Sequence, residues 1–252
     1  MIKSKKLSKY KNINHAFFDR MGGKSKGIYK SLNCAPGSFD NKSYVLKNLQ
    51  IVIKKIRSKS KKIILLNQIH SNKFYFINKN EKLRNKLTGD ALITNRANMP
   101  IAILTADCAP VLIYDNNKNF IAAIHAGWKG ALKGIVNKVV KFMIKKGCSP
   151  NNMTAVIGPC ISSKNYEVQE DFKKLFLRKD KKSKIFFKKK GNKNYFRLNK
   201  YIYSQLKCLD IKKIDVINRD TFETKNNFFS ARRSISRNEN DYGRNISVIM
   251  IN

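Results

Sequence analysis

The chain of 252 residues carries 53 Lys and Arg against 16 Asp and Glu, a formal charge of +37, yet only 11 of the basic residues are Arg. The Lys excess is scattered, with local runs at residues 3–11, 54–62 and 179–190; it reads as solvated faces and disfavours a dedicated nucleic-acid role. No apolar run nears roughly 18 residues and the five cysteines lack CxxC spacing, which excludes a membrane span and a disulfide framework; a soluble, cytoplasmic protein is expected.

Residues 13–20, INHAFFDR, read as a short strand, followed by a Gly-rich turn over 21–27 that matches neither the Walker nor the dinucleotide pattern. Residues 43–57 place Val45, Leu46, Leu49, Val52, Ile53 and Ile56 on one helical face. A strand candidate at 63–69 runs into His70, and short strands follow at 74–77 and, after Gly89 and Asp90, at 91–94. The stretch 101–130, IAILTADCAPVLIYDNNKNFIAAIHAGWKG, holds three apolar runs bounded by turn signals, the pattern of buried strands. Asp107 and Cys108 separate the first two runs, and His125, Ala126, Gly127 and Trp128 end the third.

Apolar residues recur at helical spacing over 129–146, with Lys145 and Lys146 in the last turn and Gly147 just beyond, so one helix is predicted there. Residues 153–157 read as a strand entering a turn at 158–160, 168–177 as a helix, and 179–194 as an exposed, charged excursion. A helix at 199–209 and strands at 214–217, from 228–230 and at 246–251 complete the chain. Strands cluster instead of alternating with helices, which favours an α+β fold, mixed β-sheets flanked by helices, over a doubly wound one. No repeat or composition break divides residues 1–252, so a single domain is expected.

The histidines are His15, His70 and His125. His70, Cys108 and His125 each follow an apolar strand-like run, so two imidazoles and a thiolate can converge on one rim as a zinc set with a fourth position open. A metal-free alternative stays open, because the spacing matches no short zinc motif: Cys108 as nucleophile, His125 or His70 as base, and Asp107 as orienter. Where Lys is the abundant cation, Arg marks places that need a planar, bidentate one. Arg20, Arg232, Arg233 and Arg244 are the candidate anion contacts.

Taken together, these motifs resemble the YfiH-like family, whose members are labelled laccase-domain polyphenol oxidase, purine nucleoside phosphorylase or peptidoglycan editing factor. The resemblance is carried by HAFFDR at 15–20 with Gly22, Gly23 and SLN at 31–33, NQIH at 67–70, GDALIT at 89–94, TADCAP at 105–110 and HAGWKG at 125–130. It continues in IGPCI at 157–161, YEV at 166–168, FFSARR at 228–233 and DYGR at 241–244, nearly the full length in the family's order. The resemblance implies a YfiH-like fold, a Zn2+ ion held by His70, Cys108 and His125, phosphorolysis of adenosine, inosine and methylthioadenosine by inorganic phosphate, and adenosine deamination. Departures are Ala231 where members often have Tyr, Leu49 and Lys129 where many have Arg, and Asp220 and Glu223 in place of a Cys pair.

In this reading Arg20, Arg232, Arg233 and Arg244 are phosphate contacts, Asp107 carries protons for deamination, and Trp128, Phe228 or Phe229 stacks on the base. A multicopper laccase is disfavoured, since three histidines cannot ligate a full copper cluster. The alternative from another class is an amidase that edits peptidoglycan precursors with the same zinc or with Cys108. A monomer is expected.

Overall fold

Within residues 101–105 the side chains alternate faces and every one is buried: Ile101 and Ile103 pack one way, Ala102 and Leu104 the other. A strand apolar on both faces must lie inside a layered structure. In the computed structural model, which describes residues 1–78 and 87–252, that is its position.

The elements in chain order are strand β1 (Ile13–Phe17), helix α1 (Lys42–Lys55), and strands β2 (Phe74–Ile77), β3 (Ala91–Thr94), β4 (Ile101–Thr105), β5 (Ala109–Asp115) and β6 (Phe120–Ala126). Helices α2 (Trp128–Leu132) and α3 (Ile135–Lys145), strands β7 (Met153–Ile157) and β8 (Glu167–Val168), and helix α4 (Glu170–Lys179) follow. Strands β9 (Phe187–Lys190) and β10 (Lys193–Phe196), helix α5 (Leu198–Lys207), strand β11 (Lys213–Val216), helix α6 (Ala231–Ser236) and strand β12 (Asn245–Ile251) complete the fold. The strands form a mixed sheet in the order β11-β7-β5-β6-β3-β2, an antiparallel sheet β1-β12-β4 and a small sheet β8-β10-β9. The architecture is mixed α+β with several sheets and helices.

Three apolar clusters separate the layers. Val52 of α1 and Ile56 just after it cover Ala16, Ala102 and Val248 of the β1-β12-β4 sheet. The other face of that sheet, Phe17, Ile101, Ile103 and Ile249, packs on Leu92, Leu112, Ile121 and Val156 of the large sheet. The far face of the large sheet is covered by α3 and α5 through Val136, Val139, Met143, Ile202 and Leu206. Each such side chain taken from water contributes about 1.5–3 kcal/mol, so the layers are held mainly by burial. No described helix is long and apolar enough to cross a membrane.

Four local expectations change. Residues 63–69 form isolated bridges, Ile64 to Ile101 and Asn67 to Thr88, because the Gln68 side chain replaces strand pairing: it donates to the Leu104 carbonyl at 2.8 Å and accepts from the Leu104 N–H at 2.7 Å. The helix expected over 129–146 is broken by Gly134, whose φ of +77° is left-handed. The excursion at 179–194 carries a β9–β10 hairpin whose Phe187 packs on Phe196 at 5.0 Å. Residues 228–230 start no strand; the Ser230 hydroxyl accepts the Arg233 N–H at 3.2 Å and caps α6.

Candidate metal centre

Sheet topology brings the chemistry to one edge. Neighbouring β5, β6 and β3 run antiparallel, so the starts of β5 and β3 and the end of β6 lie together. Cys108 immediately precedes β5, where the chain passes from the small antiparallel sheet to the large one, and Asp107 makes that passage at φ +85°. His125 lies opposite Pro110 near the end of β6, and Asp90 immediately precedes β3.

Asp90 is completely buried and organises two histidines. Its carboxylate accepts the backbone N–H of His70 at 2.9 Å and of Ser71 at 2.6 Å, and the Ser71 hydroxyl at 2.7 Å. It also accepts Nδ1–H of His125 at 2.8 Å. An ionised carboxylate only accepts, so this bond keeps a proton on Nδ1 of His125 and leaves Nε2 as the atom that offers a lone pair to a metal in the neutral ring. The ligand atoms of His70, Cys108 and His125 then lie within 4.8 Å of one another, and Cys108 Sγ is 3.9 Å from His70 Nε2. His70 is exposed, Cys108 half-buried and His125 buried, so the group is open to the solvent on one side.

The electrostatics suit a thiolate. Burial opposes ionisation of Cys108, but His125 and His70 outweigh it and lower the thiol to about 7. Burial alone drives Cys34 upward and is the main cause that raises Cys148 to about 12. Burial likewise opposes the charge on His125, yet Cys108 and Asp90 raise it to about 9; burial opposes the charge on Asp90, and His125 and Ser71 hold it down at about 2. Gly127 closes the site: a Cβ there would stand 2.8 Å from Cys108 Sγ and 3.1 Å from His70 Cδ2. One soft and two borderline donors around an open position fit zinc, and the same set suits copper, so the residues fit a metal whose identity they do not fix.

Asp107 lies beside this group but does not orient its histidines, which corrects the sequence expectation. One carboxylate oxygen accepts the Thr221 hydroxyl at 2.6 Å; the other accepts the Ser230 hydroxyl at 2.9 Å and the Arg232 N–H at 2.7 Å. The carboxylate fastens the Cys108 turn to residues 221–232, and Asp90 performs the orienting role.

A cavity of about 290 Å³ adjoins the centre, lined by Trp128, Tyr166, Glu167, Gln169, Phe172 and Arg232. Trp128 follows Gly127 directly, and burial together with nearby Cys108 pushes the Tyr166 phenol up. Trp128 packs on Phe172 at 4.8 Å, and the Arg232 guanidinium stands 5.6 Å over Tyr166 and donates to the Glu167 carbonyl at 3.0 Å.

The four arginines separate. Arg232 alone lines this cavity. Arg233 is buried and donates to the carbonyls of Thr221, Phe222 and Phe228. Arg244 lies over Tyr242 at 4.6 Å and 3.7 Å from Asp241, and Arg20 lies over Phe229 at 4.8 Å. Phe228 and Phe229 are buried and line no part of the aromatic cavity, which leaves Trp128 of the three stacking candidates. Sequence reasoning missed Asp90 and Phe172. Asp90 carried a signal, a lone acid between Gly89 and an apolar run, since a buried carboxylate needs partners.

Fold and site together define an α+β protein with a possible His–Cys–His metal centre at the edge of a mixed sheet. The chain belongs to the family described as multi-copper polyphenol oxidoreductase laccase, whose sequence model matches residues 14–252. It is 32% identical to a purine nucleoside phosphorylase of Bacteroides thetaiotaomicron, covering 100% of this chain and 96% of that one, and 31% identical to one of Rickettsia prowazekii, covering 89% and 90%. Among solved structures it is similar to Neisseria meningitidis protein NMB0706 of family-model DUF152, with a TM-score of 0.85, 29% identity and 96% of both chains covered. The Bacillus licheniformis hypothetical protein YfiH superposes with a TM-score of 0.85 at 26% identity, over 95% of this chain and 93% of that one. The expected YfiH-like membership and fold therefore hold.

Proposed function

We propose that residues 1–252 form one catalytic domain, a zinc-dependent purine nucleoside phosphorylase acting on adenosine, inosine and methylthioadenosine, with adenosine deaminase activity at the same centre. One observation carries the reading: the His70–Cys108–His125 cluster opens beside a cavity walled by Trp128, Tyr166 and Phe172 and bearing the cation Arg232. Planar aromatic walls suit a purine, and a guanidinium suits phosphate. The names of the relatives point the same way. A cytoplasmic setting keeps Cys108 reduced.

In phosphorolysis a phosphate oxygen forms a bond to ribose C1′ while the C1′–N9 bond breaks. Its electron pair leaves with the base, which takes up a proton to give free purine and ribose 1-phosphate. The protein's part is positioning and electrostatics. Arg232 holds phosphate against the open face of the nucleoside, and the aromatic walls orient the base and exclude water. Asp107 keeps Arg232 and the Cys108 turn in fixed relation through its bonds to the 221–232 segment. Asp90 holds His125 so that Nε2 faces its partners. His70, Cys108 and His125 would hold the zinc ion, which when bound would supply Lewis acidity toward water, the chemistry that deamination of adenosine needs. A laccase is disfavoured, because His15, the one histidine outside the trio, accepts the Ser4 N–H at 2.9 Å and leaves no imidazoles for a copper cluster.

Incubation of the whole chain with adenosine and inorganic phosphate, resolved by chromatography, tests the reading. Adenine, ribose 1-phosphate and inosine are expected. Unchanged adenosine in the presence of phosphate and zinc overturns it.

A further inference from the structure

Beside α6, in a space whose lining is distinct from that of the aromatic cavity, three guanidiniums share a cleft. Arg20, Arg233 and Arg237 line a space of about 230 Å³ with Phe229, Ser230 and Glu239, and the same three line an adjoining space of about 220 Å³ with Lys30. Neither space shares a lining residue with the aromatic cavity. Among the described residues no carboxylate lies within 4.0 Å of these guanidiniums, and Glu239 is the one carboxylate lining either space.

Each guanidinium has five N–H donors, and most here are uncommitted among the described residues. Arg20 gives Nε–H to the Lys30 carbonyl and lays its plane over Phe229 at 4.8 Å, leaving both terminal nitrogens. Arg233 gives three donors to the carbonyls of Thr221, Phe222 and Phe228, which fix the buried side chain, and Asp107 is the carboxylate that acts on its charge most. Arg237 is exposed, and among the described residues its side chain makes no hydrogen bond. Burial and the charge of Arg233, opposed by Glu239 and aided by Arg237, push Arg20 below its ordinary range. Like charges gathered in a half-enclosed, polar cleft are unfavourable until an anion neutralises them.

The loop opposite is built to hold this shape. Asn48, fully buried, accepts the Lys24 N–H at 2.7 Å and donates to Ser25 Oγ at 2.9 Å and to the Asn33 carbonyl at 2.8 Å. It thereby clamps both ends of the segment that carries Gly27 and Ile28 into the cleft wall.

We propose that the Arg20–Arg233–Arg237 cleft is a binding site for a dianionic phosphate group, presented as inorganic phosphate or as a phosphomonoester, separate from the metal centre. Planar guanidinium forks match phosphate oxygens in pairs, which scattered Lys cannot do. The site stands on its own geometry and does not rest on nucleoside phosphorolysis. It is nevertheless wired to the metal turn, because Ser230 in its lining donates to Asp107, the residue before Cys108.

Isothermal titration of the whole chain at constant ionic strength, with inorganic phosphate and in parallel with glycerol phosphate, reads the site. In Arg232→Gln, which removes the contact assigned to substrate phosphate, saturable binding of about one phosphate per chain is expected at the cleft, and it is retained in Cys108→Ala. Arg20→Gln and Arg237→Gln are each expected to weaken it roughly ten- to hundredfold, as loss of a charged hydrogen bond does. The double substitution Lys189→Gln and Lys190→Gln, at exposed residues outside the cleft, leaves it unchanged. Tighter binding of orthophosphate identifies inorganic phosphate as the ligand, and tighter binding of the ester identifies a phosphomonoester. Arg237 is exposed, so its variant keeps the fold and the test stays decisive. Absence of saturable binding, equal binding by Arg237→Gln, or loss in a folded Cys108→Ala protein overturns the proposal.

Discussion

Arg232 and Arg233 are neighbours in sequence and serve opposite sides of one segment. Arg232 faces an aromatic cavity beside a group of soft ligands; Arg233 faces a cleft of like charges. The first region hangs on strand ends, where the register of β5, β6 and β3 fixes Cys108, His125 and Asp90 together. The second hangs on a loop, a six-residue helix and the turn after it. A site built on sheet edges is defined by the core and tolerates little displacement, whereas one built on loops depends on individual clamps such as Asn48.

The sharpest way to break this contrast is at the metal turn. Cys108→Ser removes the soft ligand and is expected to abolish zinc retention and lower turnover at least a thousandfold, roughly what a missing reactive group costs, with one cooperative unfolding transition retained at a midpoint lowered by the loss of the metal. Metal analysis beside a melting curve checks it. If the variant keeps zinc and turnover, the centre lies elsewhere. Gly127→Ala comes next. A Cβ 2.8 Å from Cys108 Sγ must displace the sulfur, and a shift of about 1 Å costs roughly a hundredfold in rate. A steady-state assay that finds Gly127→Ala fully active removes the claim that close backbone approach shapes the site.

Asp90→Asn probes the support behind the ligands. The amide still bonds but no longer fixes His125 with a full charge, so zinc affinity is expected to fall about 10–100-fold. Competition with a chromophoric chelator measures it, and unchanged affinity would reduce Asp90 to a loop anchor for His70 and Ser71.

The same two regions divide what the sequence discloses. The metal trio stands out because histidine is scarce here and each candidate follows an apolar run, so chemistry and burial pattern coincide at His70, Cys108 and His125. The strands were legible for the same reason, since a continuous apolar run bounded by turn signals, as at residues 101–105, is buried on both faces. Asp107 misled because adjacency to Cys108 suggested an orienting role, yet its left-handed backbone turns the carboxylate toward Thr221, Ser230 and Arg232. The arginine cleft was only half visible: Arg20 and Arg233 stood out against the Lys background, but Arg237 joins them through the path of α6. The break at Gly134 depends on how α2 leaves the metal edge, which helical periodicity does not encode.

The smallest expected effect concerns a residue that lines neither site. Burial lowers His15 to about 4, with Lys3 contributing and Asp215 opposing. The unfolded chain takes up that proton near pH 6.5, while the folded chain resists it until about pH 4. Stability is therefore complete above about pH 6.5 and falls as the pH drops toward 4, by up to about 3 kcal/mol. Urea unfolding of the wild type and His15→Gln across pH 4–7 isolates it: the gap between the two should shrink as the pH falls, and a constant gap would show that His15 titrates normally.

The central claim is that His70, Cys108 and His125 make a metal-dependent centre for nucleoside phosphorolysis. Zinc titration into metal-stripped protein, followed by phosphate-dependent release of hypoxanthine from inosine, tests it most directly. Activity should rise in proportion to added zinc and level off at about one zinc per chain. Full activity in the stripped protein, or no base released at any zinc level while a muramyl-peptide precursor is cleaved, would contradict it.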